Sequence, residues 1–344
     1  MPVLPTTAEL AERYRISDGK KFHLKNMDPA DPWGKKLKKI ADQMMKQNSK
    51  RLSKLQERLY AHDRWSVLII FQAMDAAGKD STIKNVMTGV NPQGCEVHSF
   101  KAPSTEELDH DFLWRSTRNL PRRGHIGIFN RSYYEETLVV RVHKAILDRQ
   151  QLPRELVTPK IWAERFEQIN AFEQYLSQQG VLIRKYFLHI SKDEQRTRFL
   201  RRLDQPDKNW KFSPGDVKER EHYDEYMKAY EDTIRHTATS WAPWHVIPAD
   251  RKWLMRLLVS ASIIDAIESI DPRYPEVAPE VRAEFARLKE ELEKEAEQAK
   301  AGKEPKEESA PKAQKRSKVE KADKAVKAEK PETPEKAEKE EKPA

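Results

Sequence analysis

The chain has a single cysteine, Cys95, which excludes an internal disulfide framework and any zinc site built on several thiolates, and fits a reducing compartment. It lacks any apolar run approaching the roughly 20 residues that a membrane-spanning helix needs. Its N-terminus has no apolar stretch of signal-peptide length. A soluble, cytoplasmic protein with no membrane partner is expected. His98, His110 and His143 lack metal-ligand spacing, so no metal is assigned to histidine. Nor is there a recognisable nucleic-acid module or aromatic-basic repeat, and nucleic acid is not an expected partner. Residues 301–344 contain no aromatic and only two valines, among 13 Lys or Arg and 11 Asp or Glu. That composition cannot bury enough apolar surface to offset chain entropy, and it reads as a disordered Lys/Glu/Ala/Pro tail.

What remains suits one large α/β domain. Its formal charge is +6, which points to an anionic partner. Charge alone fits DNA, RNA, an acidic membrane face or a phosphate polymer equally well, so the choice falls to the site. Apolar runs of strand length recur at 66–71, 97–100, 126–129, 181–189 and 244–247, each separated from the next by enough chain for a helix. Helical patterns occupy 31–62, 160–179, 251–269 and 281–299. Strands alternating with helices predict a parallel sheet covered on both faces, with the ligand site at the carboxyl ends of the strands.

The first of these strands runs into Gln72-Ala-Met-Asp-Ala-Ala-Gly-Lys-Asp-Ser-Thr82, a small-residue loop ending in Gly78 and Lys79. Such a loop turns successive backbone N–H groups toward one point. The next helix adds its positive end, and the lysine supplies a mobile cation, so polyphosphate groups are the natural ligand. The fit to G-x-x-x-x-G-K-S/T is imperfect. Ala73 stands in place of the first glycine, Asp80 follows the lysine, and Ser81 and Thr82 come late. Any strand-to-helix turn favours Gly and Ala, so the loop by itself leaves a structural reading open. Asp75, a carboxylate inside the loop, is expected to be catalytic, holding a metal or orienting a nucleophilic oxygen. Ala76, Ala77, Gly78, Asp80, Ser81 and Lys84 are expected to bind ligand around it.

The third strand leads into Asn130, Arg131, Ser132, Tyr133, Tyr134, Glu135 and Glu136. Asn130, Glu135 and Glu136 offer oxygen ligands for Mg²⁺, beside Asp75, while Arg131 offers charge for a transferring phosphoryl group and Tyr134 a ligand contact. The alternative is an ordinary turn with solvent-facing glutamates. After the fourth strand, Arg198, Arg201 and Arg202 share one helix face and can grip phosphate oxygens. Lys208, Trp210 and Lys211 follow in a Pro- and Gly-punctuated segment suited to closing over substrate, and the whole lid spans about 192–236. Arg115, Arg118, Arg122 and Arg123 add charge near the same sheet edge, some of it for nucleotide phosphates.

Taken together, the segments 71–84, 90–95, 129–143 and 208–216, in this order, resemble polyphosphate kinase family 2 over roughly 33–273. The resemblance implies a P-loop kinase fold: a three-layer α/β/α sandwich with a five-stranded parallel sheet and a helical lid. It also implies a reversible, Mg²⁺-dependent transfer (Mn²⁺ as an alternative) of phosphoryl groups between inorganic polyphosphate and AMP, ADP, ATP or other nucleotides, in a dimer or tetramer. Asp75, Lys79 and Arg131 fall on the family's loop carboxylate, lysine and strand-end arginine, and Arg198, Arg202 and Lys211 on basic lid positions. Where many members carry a strand-end aspartate, and Asn-Arg after the paired aromatics, this chain has Asn130 and Glu135-Glu136. That departure resembles the branch that phosphorylates nucleoside mono- and diphosphates. The expected organisation is an N-terminal extension at 1–32, a phosphotransferase domain at 33–273, a C-terminal helix at 274–300 and the tail at 301–344. Two rival readings are an ATP-dependent kinase of the same fold and a non-catalytic polyanion-binding protein.

Overall fold

The five apolar runs all form strands, and their burial explains why they lie together. In the computed structural model, which describes residues 5–301, every residue of Ser66–Gln72 is buried, as a strand covered on both faces requires. Beyond residue 301 the charged tail lies outside the described residues. We number the strands β1 (Arg15–Ile16), β2 (Ser66–Gln72), β3 (Cys95–Ser99), β4 (Ile126–Asn130), β5 (Val181–His189) and β6 (Trp244–Pro248). The sheet order is β1-β6-β5-β2-β4-β3, with β2 paired in parallel to both β5 and β4. The sheet has six strands where five were expected. The extra one, β1, pairs antiparallel with β6 through Arg15↔His245 and Ile16↔Trp244. Two residues carry no alternation, so the sequence holds no periodic trace of it.

The longer helices, in chain order, are α1 (Ala41–His62), α2 (Lys79–Val86), α3 (Ile161–Gln178), α4 (Lys192–Asp204), α5 (Pro214–Glu221), α6 (Tyr223–Thr237), α7 (Lys252–Glu268) and α8 (Pro279–Ala301). Alternate side chains of β5 show how the body's helices divide between the faces. Tyr186 lies 3.0 Å from Ser262 of α7, whereas Lys185 reaches Glu173 of α3 at 2.6 Å and Phe187 stacks on Tyr230 of α6 at 3.9 Å. The expected three-layer sandwich results. The chain divides into two units, one through Glu276 and one from Val277 onward.

Two helices depart from expectation. The pattern at 31–62 is not one helix: Pro32–Leu37 is a 3₁₀ turn, capped by Asp31 on the Trp33 N–H, and α1 begins at Ala41. Pro32 starts that turn and Gly34 keeps it against α7, since a Cβ on Gly34 would meet Leu254 at 2.3 Å. The pattern at 251–269, apolar mainly on one face as an amphipathic helix is expected to be, forms α7, which is buried nearly all round because it is sandwiched between the sheet and α1.

Candidate active site

The loop after β2 is shaped by its own backbone. Ala76 (φ 62) and Gly78 (φ 105) both lie in the left-handed region, which turns the chain from the strand into α2. Only Gly78 occupies it without side-chain strain, and a Cβ there would also press Ser81 Oγ at 3.3 Å. The Ser81 and Thr82 hydroxyls donate to the Gly78 carbonyl at 3.0 and 2.9 Å. Lys79 Nζ donates to the Ala73 carbonyl at 2.8 Å, holding its ammonium over the loop. Burial pushes that ammonium down to about 8; neighbouring Arg131 adds to the shift, and Asp75, Glu135 and Asp80 oppose it.

Arg131 comes from the end of β4, the strand beside β2, so the parallel register delivers it to the loop. It also has a positive φ, 65°, and its Nη2 donates to Asp75 Oδ1 at 3.0 Å. Positive φ at Arg131 and at Ala76, the residue after its partner Asp75, marks a site the surrounding structure holds in place. Asn130 Nδ2 donates to Asp80 Oδ1 at 2.9 Å.

These groups line a cleft of about 800 Å³ at the carboxyl edge of the sheet, bounded by the loop, β3, α4 and the segment after it. Ten lysines and arginines line it against three carboxylates, Asp75, Asp80 and Asp216. Most predicted site residues meet here: Asp75, Ala76, Gly78, Lys79, Asp80, Ser81, Lys84, Asn130, Arg131, Arg198, Arg201, Arg202, Lys208 and Lys211. Ala77 is fully buried beneath the loop. Lys101 and Lys252 also line the cleft and were not anticipated. Each follows a strand at the functional edge, and that position is the one signal that could have found them.

Arg198 has a different task from the one its spacing suggested. Its Nε donates to Glu194 at 2.7 Å, Nη1 to the carbonyls of Ala76 and Ala77 at 3.2 and 2.7 Å, and Nη2 to those of Ala249 and Asp250 at 2.6 and 3.2 Å. All five donors are occupied, so this buried guanidinium ties α4 to the loop and to the exit of β6 instead of offering itself to phosphate. Arg201, by contrast, is exposed and has no side-chain partner among the described residues. Asp216, at the start of α5, lines the same cleft as Asp75, and its pKa is raised by burial and then by the charge of Asp75.

A second cavity of about 490 Å³ adjoins the cleft, sharing Phe100, Lys101 and Arg131. Phe100, Phe112, Leu113, Val139 and Ile146 give it apolar walls, and Arg115, Glu135 and Glu136 line it too. Glu135 therefore does not join Asp75 and Asn130 on the cleft, contrary to expectation. Burial raises its pKa while Arg131 and Lys79 hold it down. Glu136 accepts from Gln150 at 2.7 Å, and Arg115 donates to the Lys101 carbonyl at 2.7 Å. Three other expected ligands lie elsewhere. Arg118 covers the Trp114 ring, Arg122 is exposed beside Glu96, and Tyr134 is fully buried in the core with its hydroxyl on Glu173 at 2.8 Å. Arg123 braces the carbonyls of Arg64 and Gln179.

No group of three or more His, Cys, Asp or Glu among the described residues forms a metal cage. The donors do suit Mg²⁺, which is commonly held by one or two carboxylates plus substrate phosphates. Asp75, Asp80 and Asn130 present such hard oxygens on one wall of the cleft.

Comparison with known proteins gives one consistent result. The family model described as polyphosphate kinase 2 matches residues 35–275. A Rhodopseudomonas palustris protein named ADP-polyphosphate phosphotransferase is 48% identical over 285 residues, covering 82% of this chain and 98% of that protein. A Meiothermus ruber protein named AMP/ADP-polyphosphate phosphotransferase is 44% identical over 274 residues, covering 79% and 98%. The crystal structure of polyphosphate kinase 2 from Arthrobacter aurescens superposes with a TM-score of 0.76 at 37% identity, covering 84% of this chain and all of that one.

Proposed function

The chain belongs to the polyphosphate kinase 2 family, and we propose that it transfers a terminal phosphoryl group between inorganic polyphosphate and AMP or ADP, giving ADP and ATP reversibly. The observation that carries this reading is the pairing of two unlike cavities through Arg131. One is a cleft of cations that suits a repeating phosphate chain, and the other is a mostly apolar cavity of nucleoside size. Polyphosphate lies along Lys79, Lys84, Arg201, Lys208, Lys211 and Lys252, and the nucleoside sits among Phe100, Phe112 and Leu113. No helix among the described residues is long and apolar enough to cross a membrane. With one cysteine, the chain suits the cytoplasm, where its nucleotides are.

In the forward direction a terminal phosphate oxygen of the nucleotide attacks the end phosphorus of polyphosphate in line. The terminal P–O–P bond breaks, and the polymer leaves one phosphate shorter with the bond's electron pair on its new terminal oxygen. Arg131, at the junction, offsets charge on the equatorial oxygens, and Lys79 does so from the loop side. Asp75 holds the Arg131 guanidinium in place, and Asp75, Asp80 and Asn130 are the residues that would hold Mg²⁺. The metal's contribution is to neutralise phosphate charge. Proton transfer is a minor part of such a reaction, so positioning carries most of the rate. Incubating the protein with Mg²⁺, long-chain polyphosphate and AMP, then separating the nucleotides, is expected to yield ADP and ATP. Product that forms only when ATP replaces polyphosphate would mean an ATP-dependent kinase, and no product with any donor would mean a binder.

The shifted lysine gives a pH dependence with a definite sign. With its pKa near 8 in the free enzyme, Lys79 is charged below that pH and loses its proton above it. The protonated form is the one that binds phosphate, so kcat/KM for polyphosphate is expected to fall as pH rises through about 8. Lys79→Arg, charged throughout, is expected to be slower at neutral pH but to lose this alkaline limb. If the limb persists in Lys79→Arg, another group is responsible.

A further inference from the structure

Helix α5 stands over the cleft without an apolar footing. None of its residues from Pro214 to Glu221 is buried, so its position depends chiefly on polar ties. Two of these lead back to α4. Asp216 accepts from Arg202 Nη1 at 3.4 Å, and Arg220 Nη1 donates to the Lys192 carbonyl and to Gln195 Oε1 at 2.7 and 2.8 Å. Arg202 Nη1 also donates to the Lys211 carbonyl at 3.2 Å, which links α5 to a lysine of the cleft. Glu219 leads elsewhere. Both of its carboxylate oxygens lie near His143 Nε2, at 2.9 and 3.1 Å, and Oε1 also accepts from the Tyr226 hydroxyl of α6. Facing a carboxylate, which only accepts when ionised, Nε2 is the ring nitrogen that donates.

His143 belongs to the wall of the other cavity. Its N–H donates to the Val139 carbonyl at 2.8 Å, its own carbonyl accepts from the Ile146 N–H at 2.9 Å, and Val139 and Ile146 both line the nucleoside-sized space. Neither His143 nor Glu219 lines either cavity. We propose that the His143–Glu219 contact couples the two substrate sites. With nucleoside in the cavity and polyphosphate in the cleft, the reading on which this rests, a nucleoside packed against Val139 and Ile146 fixes the backbone between them. His143 then holds Glu219, and Asp216, one turn earlier on α5, stays at the cleft with Arg202 and Lys211. His143 and Glu219 are positioning residues that act through α5. Coupling of this kind is reciprocal, so polyphosphate under the lid tightens the hold on the nucleotide by the same factor.

The test measures the affinity of the full-length chain for long-chain polyphosphate with and without saturating AMP, in EDTA, which withholds Mg²⁺ and prevents transfer. AMP is expected to tighten polyphosphate binding about five- to tenfold in the parent, and polyphosphate to tighten AMP binding equally. In His143→Phe and in Glu219→Ala the factor is expected to fall below about twofold, while each ligand alone binds within about twofold of its parental affinity. The double variant should match either single one, because both remove the same contact. His143→Gln, whose side-chain amide can donate to the same carboxylate, is expected to keep most of the coupling. A parent that binds both ligands independently, or a His143→Phe protein that keeps the parental factor, overturns the coupling alone. So does a His143→Phe protein whose affinity for polyphosphate by itself falls as far as the coupling does, the mark of a merely structural part. A parent that binds no AMP overturns the nucleotide reading, and the coupling with it.

Discussion

Arg131→Ala is expected to lower kcat by about a thousandfold while leaving the apparent affinity for polyphosphate within a few-fold of the parent, since an arginine that neutralises a transferring phosphoryl group is worth that much. The asymmetry follows from where Arg131 sits. The polymer keeps the cleft's other cations apart from the occupied Arg198, eight in all, but among the described residues no other guanidinium lines both the cleft and the nucleoside-sized cavity. The variant should fold, because alanine tolerates the positive φ of that position as Ala76 already does. Asp75→Asn removes the other half of the 3.0 Å pair and is expected to show a deficit of similar order. Because the two groups act as one unit, the double variant should be little worse than either single one. Steady-state rates for the three variants, with thermal unfolding as a control for folding, decide the matter. A drop in kcat of less than about tenfold in Arg131→Ala would remove this residue from the transfer step.

The second large effect lies in the core. Lys185 is fully buried, and its Nζ donates to Glu173 Oε2 at 2.6 Å, to the Tyr134 hydroxyl at 2.8 Å and to the Thr237 carbonyl at 2.7 Å. Glu173 Oε1 accepts from the hydroxyls of Tyr133 and Tyr134, each at 2.8 Å. Burial drives the lysine pKa down and the Glu173 charge drives it back up, so the ion pair survives only as a pair. Lys185→Met leaves an uncompensated buried carboxylate and should cost about 3–5 kcal/mol, a fall of roughly 10 °C in Tm for a body of this size. Lys185→Met/Glu173→Leu, with no charge left to strand, should recover most of that loss. Calorimetry of the two variants tests this, and equal destabilisation of both would mean that packing, not charge, sets the cost. The network also anchors the turn that carries Arg131 and Glu135, which gives Tyr134 a structural reason for standing between them.

How much of this was legible in the chain depended on the range of the cause. β2 was readable because both of its faces are covered, which forces a continuous apolar run, and the loop after it because its geometry demands small residues. β1 was not, because a two-residue strand is made by its partner β6. Arg198 was rightly placed at the cleft but assigned the wrong work. Its neighbours in sequence show a basic helix face, and only the fold reveals that the carbonyls of Ala249 and Asp250 arrive to occupy its donors. Tyr134 misled for a similar reason. A tyrosine among charged residues reads as a ligand contact until β5 supplies a buried lysine 2.8 Å from its hydroxyl. Lys101 and Lys252 belong to no local pattern, and only the topology of the sheet edge brings them in.

The five occupied donors of Arg198 also say where the lid can move. A helix whose seventh residue is tied to the loop and to the exit of β6 has a stationary base, so any swing of the segment beyond it must pivot farther along the chain. The extended residue Gln205, between the end of α4 and Pro206, is the first break in the helical backbone past that anchor. Asn209 bridges that break by donating to the carbonyls of Arg202 and Leu203, so it is release of these two bonds that would let Lys208 and Lys211 travel while the loop keeps its shape. The enzyme can then exchange a long polymer by opening one wall of its cleft, without dismantling the other.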